Sequence, residues 1–177
     1  MLLALLIAAP VVLDVQAGSS TLKYEVKHKL HEVSAEAHQM EGKVALLPDG
    51  TVQVMVRAKV ADFKSGDGNR DEHMQETMES AKFPYVVFKG VGKLAKPAAY
   101  PATLPITVKG ELDFHGRKKP ETVELTAELK SPQAAHATGT LTVSLDAYGV
   151  ERPSLLLVPI NDACVVQLDL QLAEAAH

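Results

Sequence analysis

A chain of 177 residues can bury one domain's core, and 46% hydrophobic with 23% charged residues is an ordinary globular composition. The formal net charge of -4 leaves no basic footprint for nucleic acid. The one cysteine, Cys164, excludes an intrachain disulfide.

The chain opens on an apolar, uncharged run from Met1 to Leu13, shorter than the roughly 20 residues of a membrane span. Val15-Gln16-Ala17 follows it and resembles a small-x-small cleavage site. The expectation is a signal peptide over 1–17 and a mature domain over 18–177, placed in the periplasm or secreted. The alternative is a first buried strand or helix. No cysteine follows the run to carry a lipid anchor.

From there the pattern is two-residue alternation, the mark of strands with one dry face and one wet face. Leu22, Tyr24, Val26 and His28 share a face opposite Lys23, Glu25, Lys27 and Lys29. Val33, Ala35 and Ala37 are in phase with one another, but Met40, Gly42, Val44 and Leu46 take the other parity, so a bulge or tight turn lies between. Pro48-Asp49-Gly50 is a turn. The clearest strand, Thr51 to Val60, sets Val52, Val54, Val56, Ala58 and Val60 against Gln53, Met55, Arg57 and Lys59.

After a polar loop at Asp62 to Gly68, Asn69 to Ala81 reads as the one helix. Asn69 is its expected cap, with Glu72 completing a capping box, and Met74 and Met78 form its apolar stripe. Phe83-Pro84 ends it. Val86, Phe88 and Gly90 form the next dry face, and Lys96 to Pro105 reads as a loop. Ile106, Val108, Gly110, Leu112 and Phe114 then alternate up to a basic turn at Gly116 to Pro120. Val123 to Leu129, Leu141 to Leu145 and Val166 to Leu172 complete the strands, with a long apolar connection from Tyr148 to Asp162. The sum is about eight or nine antiparallel strands and one short helix, an all-β chain that closes as a barrel or splits into a sandwich.

Several inward positions are small: Ala35, Ala37, Gly42, Ala58, Gly90, Gly110, Ala127 and Gly139. Single glycines mark bends. Together these positions point to unfilled apolar room inside, where an apolar ligand would go.

The motifs resemble those of the YceI-like family of polyisoprenoid-binding, lipocalin-like periplasmic proteins. Ser20-x-Leu22-x-Tyr24-x-Val26-x-His28 is similar to its first strand, and Arg70-Asp71-x-His73-Met74 with Phe83-Pro84-x-Val86-x-Phe88 is the most specific match. The stretch Val33 to Val44, Gly110-x-Leu112-x-Phe114-x-Gly116 and Tyr148-Gly149-Val150-x-x-Pro153-Ser154 follow the family's spacing. Ala37 stands where the family usually has Phe, and the helix lacks a common Phe pair. The resemblance implies a lipocalin-like antiparallel β-barrel of about eight strands, with an apolar cavity for an isoprenoid chain such as a polyprenyl or quinone tail. The implied partner is that isoprenoid or another long-chain lipid, with transient membrane contact.

The candidate lining is Tyr24, Val26, His28, Val54, Val56, Ala58, His73, Phe88, Val108, Gly110, Leu112 and Phe114, with His28, Arg70 and His73 at a polar mouth. Asp67-x-Asn69-x-Asp71 copies a calcium loop's start, but Glu72 and Met78 stand where Gly and Glu are required. His73 lacks a second histidine at metal spacing. Arg70 and Asp71 read as fastening the helix to the barrel. Cys164 reads as a small buried hydrophobe, and Asp113 and His115 as surface residues. No metal, cofactor or catalytic residue is expected. The leading expectation is a non-enzymatic lipid-binding protein; the alternative is a structural or stress-response barrel acting through partner contacts, and a weaker third is an enzyme with a hydrophobic active site.

Overall fold

A computed structural model describes residues 9–28, 32–95, 98–152, 154–155 and 158–175. The strands are β1 (Val11–Val15), β2 (Thr21–Lys27), β3 (Glu32–Ala37), β4 (Met40–Leu46), β5 (Thr51–Lys59), β6 (Tyr85–Lys93), β7 (Ala102–Phe114), β8 (Arg117–Ser131), β9 (Ala134–Ser144), β10 (Ser154–Leu155), β11 (Val158–Pro159) and β12 (Ala163–Ala173). One α-helix, α1 (Gly68–Thr77), stands between β5 and β6.

The sheet runs β1-β4-β5-β6-β7-β8-β9-β12 and closes because β12 also pairs with β1. The result is a closed eight-stranded antiparallel barrel. The β2-β3 hairpin extends two of these staves. β2 takes over the edge of β12 at Asp169↔Thr21, after β1 has paired at Leu172↔Val15. Ser20 fills the step between β1 and β2. Fully buried, its hydroxyl accepts from the Gln171 amide at 2.9 Å, while the Gln16 amide donates to the Gln171 carbonyl at 2.8 Å. The parity change between Ala37 and Met40 is the matching step between β3 and β4, across His38 and Gln39.

The domain boundary expected at Gly18 falls inside this barrel. Leu13 and Val15 point into the core and are buried, and Val11 to Asp14 pair with β4. Residues 11–15 form a strand of the barrel in this structure; residues 1–8, most of the apolar start, lie outside the described set.

Two further expectations shift. β7 begins at Ala102, so the loop is shorter than Lys96 to Pro105. Pro105 is tolerated where β7 pairs with β8 alone, past the last pair with β6 at Gly92↔Val108. The helix is Gly68–Thr77, capped by Asp67 rather than Asn69. Asp67 Oδ1 accepts from the amides of Asn69 at 3.0 Å and Arg70 at 3.2 Å.

The inward glycines are close approaches, not empty room. A Cβ on Gly110 would lie 2.1 Å from the Lys89 carbonyl oxygen, and one on Gly42 would lie 2.6 Å from that of Met55. Gly90 and Gly139 are filled by neighbours in the same way. At these glycines the missing side chain admits a neighbour rather than leaving room.

β1 generates a test. Beginning the chain at Gly18 removes the strand that closes the barrel and exposes the partners of two buried apolar side chains. At about 1.5–3 kcal/mol each, that is a large part of a domain's roughly 5–15 kcal/mol. Denaturant titration of this truncated chain is expected to show a greatly weakened or absent cooperative transition. Undiminished stability would show β1 to be dispensable.

Candidate functional site

Many inward apolar side chains of this closed barrel remain partly accessible. Val54, Phe88, Phe114, Leu125, Leu141, Val166 and Leu168 all face inward yet are only half-buried. Nearer the other end, Val52, Ile106, Val108 and Leu172 are buried. The difference is a cavity of about 430 Å³. Its lining is almost wholly aliphatic and aromatic, and its size falls within the roughly 300–1,000 Å³ of ligand pockets.

Of the expected lining, Tyr24, Val26, His28, Val54, Val56, Ala58, His73, Phe88, Leu112 and Phe114 border this cavity. Val108 and Gly110 do not. Val108 is 1% exposed in a packed cluster with Val52, Leu94 and Ile106, and Gly110 faces the backbone of β6. Parity assigns a face, not a height along the barrel, and these two lie below the cavity.

Helix α1 covers the open end. Arg70, His73, Met74 and Thr77 follow helical spacing, and all four border the cavity, as does Met78 just beyond the helix. Met74 and Met78 carry the apolar contact, while the Arg70 and His73 side chains are 46% and 64% exposed and form a polar rim. His28 and Glu151 are also at the border. The lining also includes residues outside the expected set, among them Val33, Phe63, Leu125, Leu141, Ile160 and Cys164. Cys164 had the right signal, since it is in phase with Val166 and Leu168.

The helix is fastened by Asp71 alone of the pair expected to do so. Its buried carboxylate accepts from the Ser65 hydroxyl at 2.6 Å and the Ser65 amide at 2.8 Å. Those two bonds hold the Asp71 carboxyl below its ordinary range. Arg70 pairs with Asp67, at 3.9 Å.

His115 is not a surface residue. It follows β7 with φ of 52°, which turns the ring from the strand's outward face to a nearly buried position. Its Nδ1 lies 3.3 Å from the Tyr148 carbonyl and its Nε2 lies 3.1 Å from Glu79. Tyr148, fully buried, donates its hydroxyl to Glu121 at 2.9 Å; burial first and that carboxylate second push its acidity well below ordinary tyrosine. These contacts tie the turn after α1 to the β7-β8 hairpin and the segment after β9.

Two ionisable groups of the lining, Cys164 and Tyr24, are held neutral. Burial pushes the Cys164 thiol up to about 12 and is the main cause raising the Tyr24 hydroxyl to about 12. A thiol so raised is a poor nucleophile. Among the described residues no three His, Cys, Asp or Glu side chains gather as metal ligands.

Fold and site together define a lipocalin-like barrel with an internal apolar cavity. The model of the YceI-like domain matches residues 13–172, and the chain belongs to that family. Similar in fold is a polyisoprenoid-binding domain from Saccharophagus degradans implicated in plant cell wall breakdown, with TM-score 0.74 and 16% identity over 94% of this chain and 100% of that one. BcnA of Burkholderia cenocepacia has TM-score 0.69 and 18% identity, covering 91% of this chain and 99% of its own. The Campylobacter jejuni YceI protein has TM-score 0.62 and 14% identity, covering 85% and 90% respectively. No curated protein matches the sequence.

The Asp71 anchor predicts an acid-dependent stability. A carboxyl with a depressed folded-state pKa stabilises fully above its unfolded value near 3.9 and loses that contribution as pH falls through the folded value. Asp71→Ala is expected to cost about 1–3 kcal/mol at pH 7. Asp71→Asn should flatten the acid limb of melting temperature against pH. An unaltered limb would assign the acid sensitivity elsewhere.

Proposed function

We propose that this protein binds and carries an isoprenoid lipid, such as a polyprenyl or quinone tail, in its barrel cavity and without catalysis. The carrying observation is the row of inward apolar side chains left accessible inside a closed barrel, beneath a helix with a polar outer rim. A dry apolar space of this kind has no hydrogen bonds to offer water and favours hydrocarbon. The Saccharophagus degradans domain, described as polyisoprenoid-binding, supports the reading through its shared fold.

We place the protein in the cell envelope on the strength of the apolar, uncharged start Met1 to Pro10 ahead of β1. N-terminal sequencing of exported protein tests this, with Val11 retained in any form that keeps the closed barrel. Cytoplasmic retention would contradict it. A tail passing from a bilayer into the barrel gains little of the roughly 0.8 kcal/mol per methylene that it would gain from water. The barrel then acts as a solvent matching the membrane, and loading occurs by transient contact with it.

Mass spectrometry of an organic extract of the purified protein is the direct test, with isoprenoid lipid as the expected finding. Two variants sharpen it. Ala58→Phe projects into the cavity, so it should cut co-purified lipid at least about fivefold while costing less than the roughly 1–3 kcal/mol of an overpacked core. Gly110→Leu meets the β6 backbone and should destabilise by more than that or prevent folding. Lipid-free wild type, with Ala58→Phe as damaging as Gly110→Leu, would favour a packed structural barrel.

A further inference from the structure

The cavity stops at one level on each strand that borders it. β5 contributes Val54 but not Val52, β6 contributes Phe88 but not Gly90, and β12 contributes Leu170 but not Leu172. Below that level Val52, Leu94, Ile106 and Val108 form a packed plug. Val54, Phe88 and Leu125 belong to both regions, lining the cavity and packing against the plug. They are its floor.

Glycines let the floor form. A Cβ on Gly90 would lie 2.9 Å from Phe88 Cζ and 2.8 Å from Val108 Cγ1, and one on Gly139 would lie 2.5 Å from Leu125 Cδ2. Large side chains lean into the space these two glycines leave and block the lumen. Phe88 is the largest of the three floor residues.

We propose that Phe88, supported by Leu125, is the chain-length stop of the cavity, selecting isoprenoids of about three or four five-carbon units. This rests on reading the cavity as an apolar-chain site. A dry cavity of about 150 Å³ takes one six-carbon ring. The volume of about 430 Å³ is nearly three times that, enough for roughly 18 carbon atoms. A longer tail meets the floor and leaves its surplus outside α1, in water.

The test uses delipidated full-length protein and isoprenols of two to eight units supplied from cyclodextrin complexes. Retained isoprenol per protein is measured by mass spectrometry after re-isolation. Wild type is expected to retain most at three or four units, and at least about fivefold less at eight. Phe88→Ala should move the maximum longer by one unit or more, and Phe88→Leu or Leu125→Ala, gentler on the fold, should move it the same way. Val91→Ala, on the exposed outer face of β6, should leave it in place. Floor variants that melt cooperatively yet keep the wild-type length profile overturn the proposal while leaving the apolar-chain reading intact. Wild type that retains no isoprenol of any length overturns that reading, and this one with it.

Discussion

The structure depends on closure at one edge of β12. An antiparallel sheet with a free edge cannot enclose a lumen, and every unpaired amide along that edge carries a cost. No single strand covers this edge of β12 along its whole length. β2 pairs with one part, β1 with another, and the buried Ser20 hydroxyl receives the Gln171 amide at the join. The step also lets the β1-β2 and β3-β4 staves bend together, since β3 and β4 break at His38 and Gln39. With the ring closed, strands wall the inside all round and α1 borders the cavity.

A closed ring of this size can be filled or hollow, and this one is partly each. Toward one end, Gly42, Gly90, Gly110 and Gly139 bring backbones and side chains too close to leave space. Toward the other, Val86, Phe88, Leu112 and Leu141 face one another across a gap. The packed part supplies stability and the hollow part supplies a solvent for hydrocarbon. α1 separates that solvent from water with two methionines beneath and Arg70 and His73 at the rim. Thioether chains adapt to irregular contents, which suits a cover over a flexible tail. The helix keeps its position through Asp71 and Ser65 on one side and Glu79, His115 and Tyr148 on the other.

Strands and faces were legible because a two-residue period survives in every long element. From Thr51 to Lys59 and from Val123 to Leu129 the more buried side is the apolar one read from parity. Height along the barrel was not legible, because no periodicity records it, and Val108 and Gly110 were placed in a cavity that ends above them. A glycine reads the same whether its missing side chain leaves room or admits a backbone, and here the second holds. Val11 to Val15 is apolar enough for a leader and alternates enough for a strand, and in this structure it pairs with β4 and β12. His115 has outward parity, but a left-handed backbone turns it inward.

The central claim is that the barrel interior is divided into a dry hollow above Phe88 and a solid plug below it. Diffraction from crystals of the delipidated protein under xenon pressure tests this most directly, since xenon enters empty apolar cavities and leaves packed ones unoccupied. The account predicts xenon among Val54, Phe88, Leu125 and Leu141, and none among Val52, Ile106 and Val108. Xenon within the plug, or none above Phe88, would contradict it.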